Sequence, residues 1–223
     1  MRCIRGALLA VAIVSGGCVP TLNSLFTSED VAYDPALEGK WQNAEATWTI
    51  QPFDARGGRY RLRTEMKEQP TAEWYATLGK IGTNRFLELL PLRPNEIHPK
   101  SFYGGHFIQL RSFWKVALVG DTLTLTAMST QWLETMLKRN EVTIKYEKPE
   151  GGMLFLTADT PELQDFVAKY ANDPGAFPVN GGEKGIVFAR GKETAQPQAE
   201  AGTNVLPWNP PQTWESGTPS DKK

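Results

Sequence analysis

Ala46-Thr47-Trp48-Thr49-Ile50, followed by Asp54-Ala55-Arg56-Gly57-Gly58 and then Arg59-Tyr60-Arg61-Leu62-Arg63-Thr64-Glu65-Met66, is the stretch that decides the fold. In the first run Ala46, Trp48 and Ile50 alternate with threonines; in the last, Tyr60, Leu62, Thr64 and Met66 alternate with Arg59, Arg61, Arg63 and Glu65. Successive side chains of a strand point to opposite faces, so this period of two predicts a pair of half-buried strands. The glycine-rich segment between them supplies the turn. The result is an antiparallel hairpin with one apolar face and one wet, charged face.

The same pattern extends in both directions. Residues 74–78, 86–90 and 107–118 carry strand-like aromatic and branched residues, and Gly120-Asp121 turns the chain into Leu123, Leu125 and Ala127 alternating with threonines. Val142, Ile144 and Tyr146, the turn Lys148-Pro149-Glu150-Gly151-Gly152 and residues 153–157 make a further hairpin, and residues 185–190 offer a last strand. About eight to ten strands are expected. Two helices interrupt them. Thr160-Pro161-Glu162 reads as a hydroxyl cap, a proline at the first helical position and an acid near the positive end of the dipole; Leu163, Phe166, Val167 and Tyr170 then make one apolar stripe. A shorter helix is predicted over residues 130–139, with Trp132, Leu133, Met136 and Leu137 facing inward. The fold class is mainly β: an antiparallel barrel or near-closed sheet, with the two short helices plugging or covering an open end.

Composition bounds the rest. With 223 residues, 40% hydrophobic and 22% charged, the chain can build one core, and a net charge of −1 with scattered lysines and arginines excludes a nucleic-acid footprint built on one basic face. From Glu193 onward Ala, Gln, Pro, Glu, Gly and Thr dominate with no hydrophobic period, so residues 192–223 read as a disordered tail. Within it, Leu206-Pro207-Trp208-Asn209-Pro210-Pro211-Gln212-Thr213-Trp214 places two tryptophans, Trp208 and Trp214, in a proline-rich frame where a protein partner could anchor.

The amino terminus carries an address. Met1-Arg2-Cys3-Ile4-Arg5 is positively charged, residues 7–14 are apolar, and Ser15-Gly16-Gly17-Cys18 follows. This is the order of a secretory signal, and its apolar run is well short of the roughly 20 residues a transmembrane helix needs. Ser15-Gly16-Gly17-Cys18 resembles the lipobox of bacterial lipoprotein precursors, although Ser15 stands where that family usually has Leu. The resemblance implies cleavage after residue 17 and diacylglycerol and acyl chains, palmitate among them, on Cys18. It also implies attachment to the cell envelope; Val19 in place of Asp directs it to the outer membrane, facing the periplasm, in a double-membrane cell. Cys18 is the one cysteine left in such a mature chain, so no internal disulfide forms. Residues 18–36 are expected to be a lipid-anchored tether, and residues 37–191 the β domain.

Leu37-Glu38-Gly39-Lys40-Trp41, at the head of the first strand, resembles the Gly-x-Trp signature of lipocalins. The resemblance implies an up-and-down barrel whose tryptophan closes one end, under an arginine from a late strand. Arg190 is the candidate here. The later Thr-Asp-Tyr turn of lipocalins is absent. Gly39, Trp41 and Arg190 are thus barrel-closing structural residues, and fold analogy alone names no ligand.

Chemistry is sparse. His98 and His106 are the two histidines, and neither lies in a metal-ligand spacing. Ser101, His106 and Asp121 contain the residue types of a hydrolytic triad, but no Gly-x-Ser-x-Gly elbow accompanies them. No catalytic residue, metal or cofactor is assigned. The expectation is a non-enzymatic, lipid-anchored envelope protein that binds a small apolar ligand or an envelope partner through its barrel. The alternatives are a structural subunit of an envelope assembly and, more remotely, an envelope hydrolase.

Overall fold

The computed structural model describes residues 18–92, 108–178 and 185–191. The expected leader at 1–17, His98, Ser101 and His106, and the expected tail at 192–223 with Trp208 and Trp214 lie outside the described residues.

Along the chain, β1 is Pro20–Thr21, β2 Gly39–Gln42, β3 Ala46–Asp54, β4 Arg59–Met66, β5 Ala72–Ile81, β6 Asn84–Pro91, β7 Arg111–Val119 and β8 Thr122–Ala127. Helix α1 (Thr130–Lys138), β9 (Tyr146–Glu147), β10 (Phe155–Leu156), helix α2 (Thr160–Tyr170) and β11 (Ile186–Arg190) follow. Strands β2 to β8 form a meander, and β11 enters between β8 and β2. Pairing of β6 with β7, from Phe86 opposite Lys115 to Leu89 opposite Ser112, completes the ring. The molecule is therefore a closed eight-stranded antiparallel barrel with two short helices, consistent with a lipocalin-like barrel. Closure removes the open edges that a sheet of this length would otherwise expose.

Register follows the alternation. Trp48 lies opposite Thr64 and Ile50 opposite Leu62 on β3 and β4, while Gln51 faces Arg61 and Thr49 faces Arg63 on the wet side. Pro52, which cannot donate to a ladder, sits where the register slips before Asp54. The β7–β8 turn is two residues long and needs a left-handed backbone, which Gly120 supplies at φ +55°.

Two apolar cores result. The first fills the barrel: Trp41, Ile50, Tyr60, Leu62, Leu123 and Phe188 are almost wholly buried. The second lies on the outer wall, where Ile81, Phe86 and Phe113 project away from the interior. It is covered by Leu133 of α1, Leu163, Phe166 and Val167 of α2, and Val19, Leu25 and Phe26 of the amino-terminal segment. Phe177 packs edge-on to Phe86, at 5.7 Å between centroids.

This corrects two expectations. The helices do not plug or cover an end of the barrel; they cover its wall, because β6 and β7 carry apolar residues on both faces and the outward set must also be buried. Nor is the segment after Cys18 a free tether. Val19 and Leu25 are buried, and β1 is hydrogen-bonded between β7 and β10, so this stretch is part of the domain. The α2 cap also shifts by one residue: Asp159, not Thr160, accepts from the Glu162 amide at 3.1 Å, which frees the Thr160 hydroxyl to donate to the Ser24 carbonyl at 2.8 Å. The hairpin predicted over residues 142–157 forms, but as two-residue strands outside the ring.

Candidate functional site

The two ends of the barrel differ. At the end holding the β7–β8 and β5–β6 turns, a single 3-10 turn at Pro35–Leu37 folds across the opening, capped by Asp34, whose side chain accepts from the Ala36 amide at 2.9 Å. Leu37 and Trp41 beneath it are fully buried. The Trp41 indole donates to the Leu37 carbonyl at 2.8 Å, and the Arg190 guanidinium lies over the ring, 4.2 Å from its centroid. Arg190 also donates to the Glu38 and Ala36 carbonyls at 2.8 and 2.7 Å and pairs with Asp121 at 3.0 Å. Gly39 sits against this guanidinium: a β-carbon there would come within 3.1 Å of Arg190 Nη1, and its φ of +114° disfavours any side chain. Nearby, Tyr33 stacks on Tyr60 and donates to Glu38, a bond that pushes its phenol pKa up to about 12. The Trp41 indole and the Arg190 guanidinium are thus both committed to closing the barrel.

The opposite end, the mouth, is made by the β2–β3 and β4–β5 turns, the start of β7 and the departure of β8. Here Trp48, Trp74 and Trp114 come inward from β3, β5 and β7, with Thr64, Ser112 and Ile186 on intervening strands. Trp48 is almost buried and tilts against Phe188 at 5.2 Å; Trp74 and Trp114 are partly exposed. The Trp74 indole donates to the Thr64 hydroxyl at 3.0 Å. The Trp114 indole nitrogen is buried and has no hydrogen-bond partner among the described residues. None of these six inward residues carries a charge, and the cations of β4 all point outward, as in the Arg61–Glu73 pair at 2.6 Å.

Cys18 stands at the rim of this mouth. It bridges to Ser129, the residue that caps α1, and its thiol lies against the Ser112 side chain. Burial pushes the thiol pKa up, so the free cysteine is a poor nucleophile at neutral pH.

Sequence reasoning placed Phe113-Trp114 as aromatics on the two faces of one strand without deciding which faces inward, and it did not single out Glu88, which points out from β6 into the second core. Glu88 is 5% exposed, accepts from the Leu25 amide at 2.6 Å and from the Ser24 hydroxyl at 3.1 Å, and pairs with Arg111 at 3.3 Å. Burial nonetheless raises its pKa. Its role is to hold the amino-terminal segment on the wall. The available signal was Phe86-Leu87-Glu88-Leu89-Leu90, where an acid is embedded in a run apolar on both faces and so needs buried partners. Asp121, one member of the composed triad, is spent on Arg190. Among the described residues no group of three His, Cys, Asp or Glu side chains is placed to hold a metal, and no helix is long and apolar enough to cross a membrane.

Fold and site together define a closed antiparallel barrel with one sealed end and one tryptophan-lined end. Comparison with protein-family models, with curated proteins and with solved structures returned no match.

Proposed function

We propose that this chain is a lipid-anchored protein of the bacterial envelope that binds a small, uncharged apolar molecule in the mouth of its barrel. The Trp114 indole nitrogen, buried and without an acceptor among the described residues, carries the reading. A buried donor without an acceptor costs about 1–3 kcal/mol, and a ligand offering a carbonyl or ether oxygen would recover it. The surroundings agree: aromatic and aliphatic walls with a few orienting polar groups, here the Trp114 indole and the Thr64 and Ser112 hydroxyls, are typical of small-molecule sites. Trp41, Tyr60, Leu62 and Phe188 fill the deeper barrel, which confines the ligand to the outer part and favours one of modest size. A carboxylate head is disfavoured, since among the described residues no cation faces inward there to compensate its desolvation.

Anchoring rests on the lipobox-like Ser15-Gly16-Gly17-Cys18 and the charged, then apolar, leader before it. Labelled palmitate should enter the wild type and not Cys18→Ser; equal incorporation would refute the anchor. For the ligand, organic extraction of protein purified from its native membrane, followed by mass spectrometry, should release a neutral lipophilic compound that quenches tryptophan fluorescence when added back. Trp114→Phe keeps the wall and removes the donor, so it should weaken rebinding by roughly five- to tenfold, about one hydrogen bond. An empty extract, with no quenching by any fraction, would favour the reading as a partner-binding or structural subunit.

A further inference from the structure

The outer-wall core leaves no slack between Cys18 and the barrel. Val19, the next residue, is 1% exposed within that core, and Pro20 and Thr21 are already paired with Ser112 and Arg111 of β7. The Leu22 amide donates to the Leu156 carbonyl at 2.8 Å, Leu25 is bound to Glu88, and the Ala32 amide donates to the Leu78 carbonyl at 2.9 Å. The path from Cys18 to the ring is thus held along its length. Its direction is set as well. Cross-strand partners share a face, Ser112 lies opposite Leu89 of the barrel interior, and Pro20 lies opposite Ser112 on the other side of β7. Cys18, two residues before Pro20, therefore presents its thiol on the interior side of the rim, against Ser112, while Val19 and Thr21 turn toward the wall.

We infer that the domain docks mouth-down on the bilayer: acyl chains leaving Cys18 emerge at the rim of the tryptophan-lined mouth and hold that end against the lipid, with the Trp41–Arg190 end facing away. This rests on the lipid-anchor reading. A tether of flexible residues would let the barrel tumble; a chain whose first residue past the lipid is buried in the fold cannot. The chemistry of the rim suits the contact. Met66 is 51% exposed beside Ala46 at the mouth, and partly exposed tryptophans such as Trp74 and Trp114 favour a lipid–water boundary. The occupant of this surface is thus the lipid itself, and the mouth receives its ligand from the membrane rather than from the aqueous phase.

The test uses full-length, processed protein in phosphatidylethanolamine–phosphatidylglycerol vesicles. Acylation consumes Cys18, so one introduced thiol can carry a nitroxide at Glu45→Cys, in the β2–β3 turn at the mouth, or at Thr83→Cys, in the β5–β6 turn at the sealed end; both positions are exposed. The label at 45 should be several-fold less accessible to a water-soluble paramagnetic quencher than the label at 83. A Gly/Ser insert of about ten residues between Cys18 and Val19 gives roughly 18 Å of root-mean-square reach and should bring the two accessibilities together. Mass spectrometry of the amino-terminal peptide separates the failures. If the lipid is present and both labels are equally accessible, or the order is reversed, the docking orientation is wrong while the anchor stands; if the lipid is absent, the anchor is wrong and the orientation falls with it.

Discussion

The Arg190 guanidinium lies 4.2 Å from the centroid of the buried Trp41 ring while donating to the Glu38 and Ala36 carbonyls, so one side chain from β11 seals the junction with β2. Backbone pairing reinforces the same junction: Arg190 is registered opposite Trp41, and the Gly191 amide donates to the Lys40 carbonyl at 2.6 Å. The barrel closes on itself here.

Trp41→Ala should therefore cost about 3–5 kcal/mol, from lost burial and the cavity left behind, together with the cation–π contact. Chemical denaturation measures it. A change below about 1 kcal/mol, the scale of a surface substitution, would mean that the sealed end contributes little to the barrel.

Gly39→Ala tests the same end from the other side. The added methyl would meet Arg190 Nη1 at 3.1 Å on a backbone at φ +114°, where an L side chain is strained by about 1–3 kcal/mol. Stability should fall by that order, and the Trp41 emission spectrum should shift toward that of a hydrated indole. An unchanged melt would show that the turn relaxes freely.

Docking of the amino-terminal segment on the wall is open to a similar probe. A β-carbon at Gly79 would lie 2.4 Å from the Phe26 ring, so Gly79→Ala cannot keep Phe26 where it is. Overpacking of this kind costs about 1–3 kcal/mol. Hydrogen exchange should rise at Leu25, Phe26 and Ala32 while the β3–β4 hairpin stays protected. Unaltered exchange in those residues would contradict the packing described.

Glu88 predicts a pH dependence of unusual sign. Burial raises its pKa above the ordinary 4.5, so the folded state holds its proton more tightly than the unfolded chain does. Between the ordinary and the raised value the folded state binds more protons, and stability falls as pH rises through that window, then levels off. Glu88→Gln keeps an acceptor for the Leu25 amide and removes the titration. The stability difference between wild type and variant should thus change in the variant's favour from pH 4.5 upward; a difference flat with pH would show that Glu88 carries no raised pKa.

Much of the barrel was legible because period-two alternation is a local property. Trp48-Thr49-Ile50 and Tyr60-Arg61-Leu62 announce which residues share a face whatever else the chain does, and turn glycines place the bends. The mouth was less legible. Aromatics on both faces of β7 were visible, but whether Trp114 faces the interior and Phe113 the wall, or the reverse, depends on which face closes the ring.

What the sequence determined by itself was the strands, their hairpin turns, the two amphipathic helices and the Gly39-Lys40-Trp41 head of the first long strand, all encoded within a few neighbouring residues. Only the tertiary structure decided that the helices cover the wall instead of an end, that residues 19–34 belong to the domain, and that Cys18 stands at the mouth. Those outcomes depend on contacts such as Leu25 with Glu88 and Ser24 with Thr160, which join residues far apart in the chain. A local pattern states that a face is apolar; which of several apolar faces buries it is settled by closure and packing of the whole barrel.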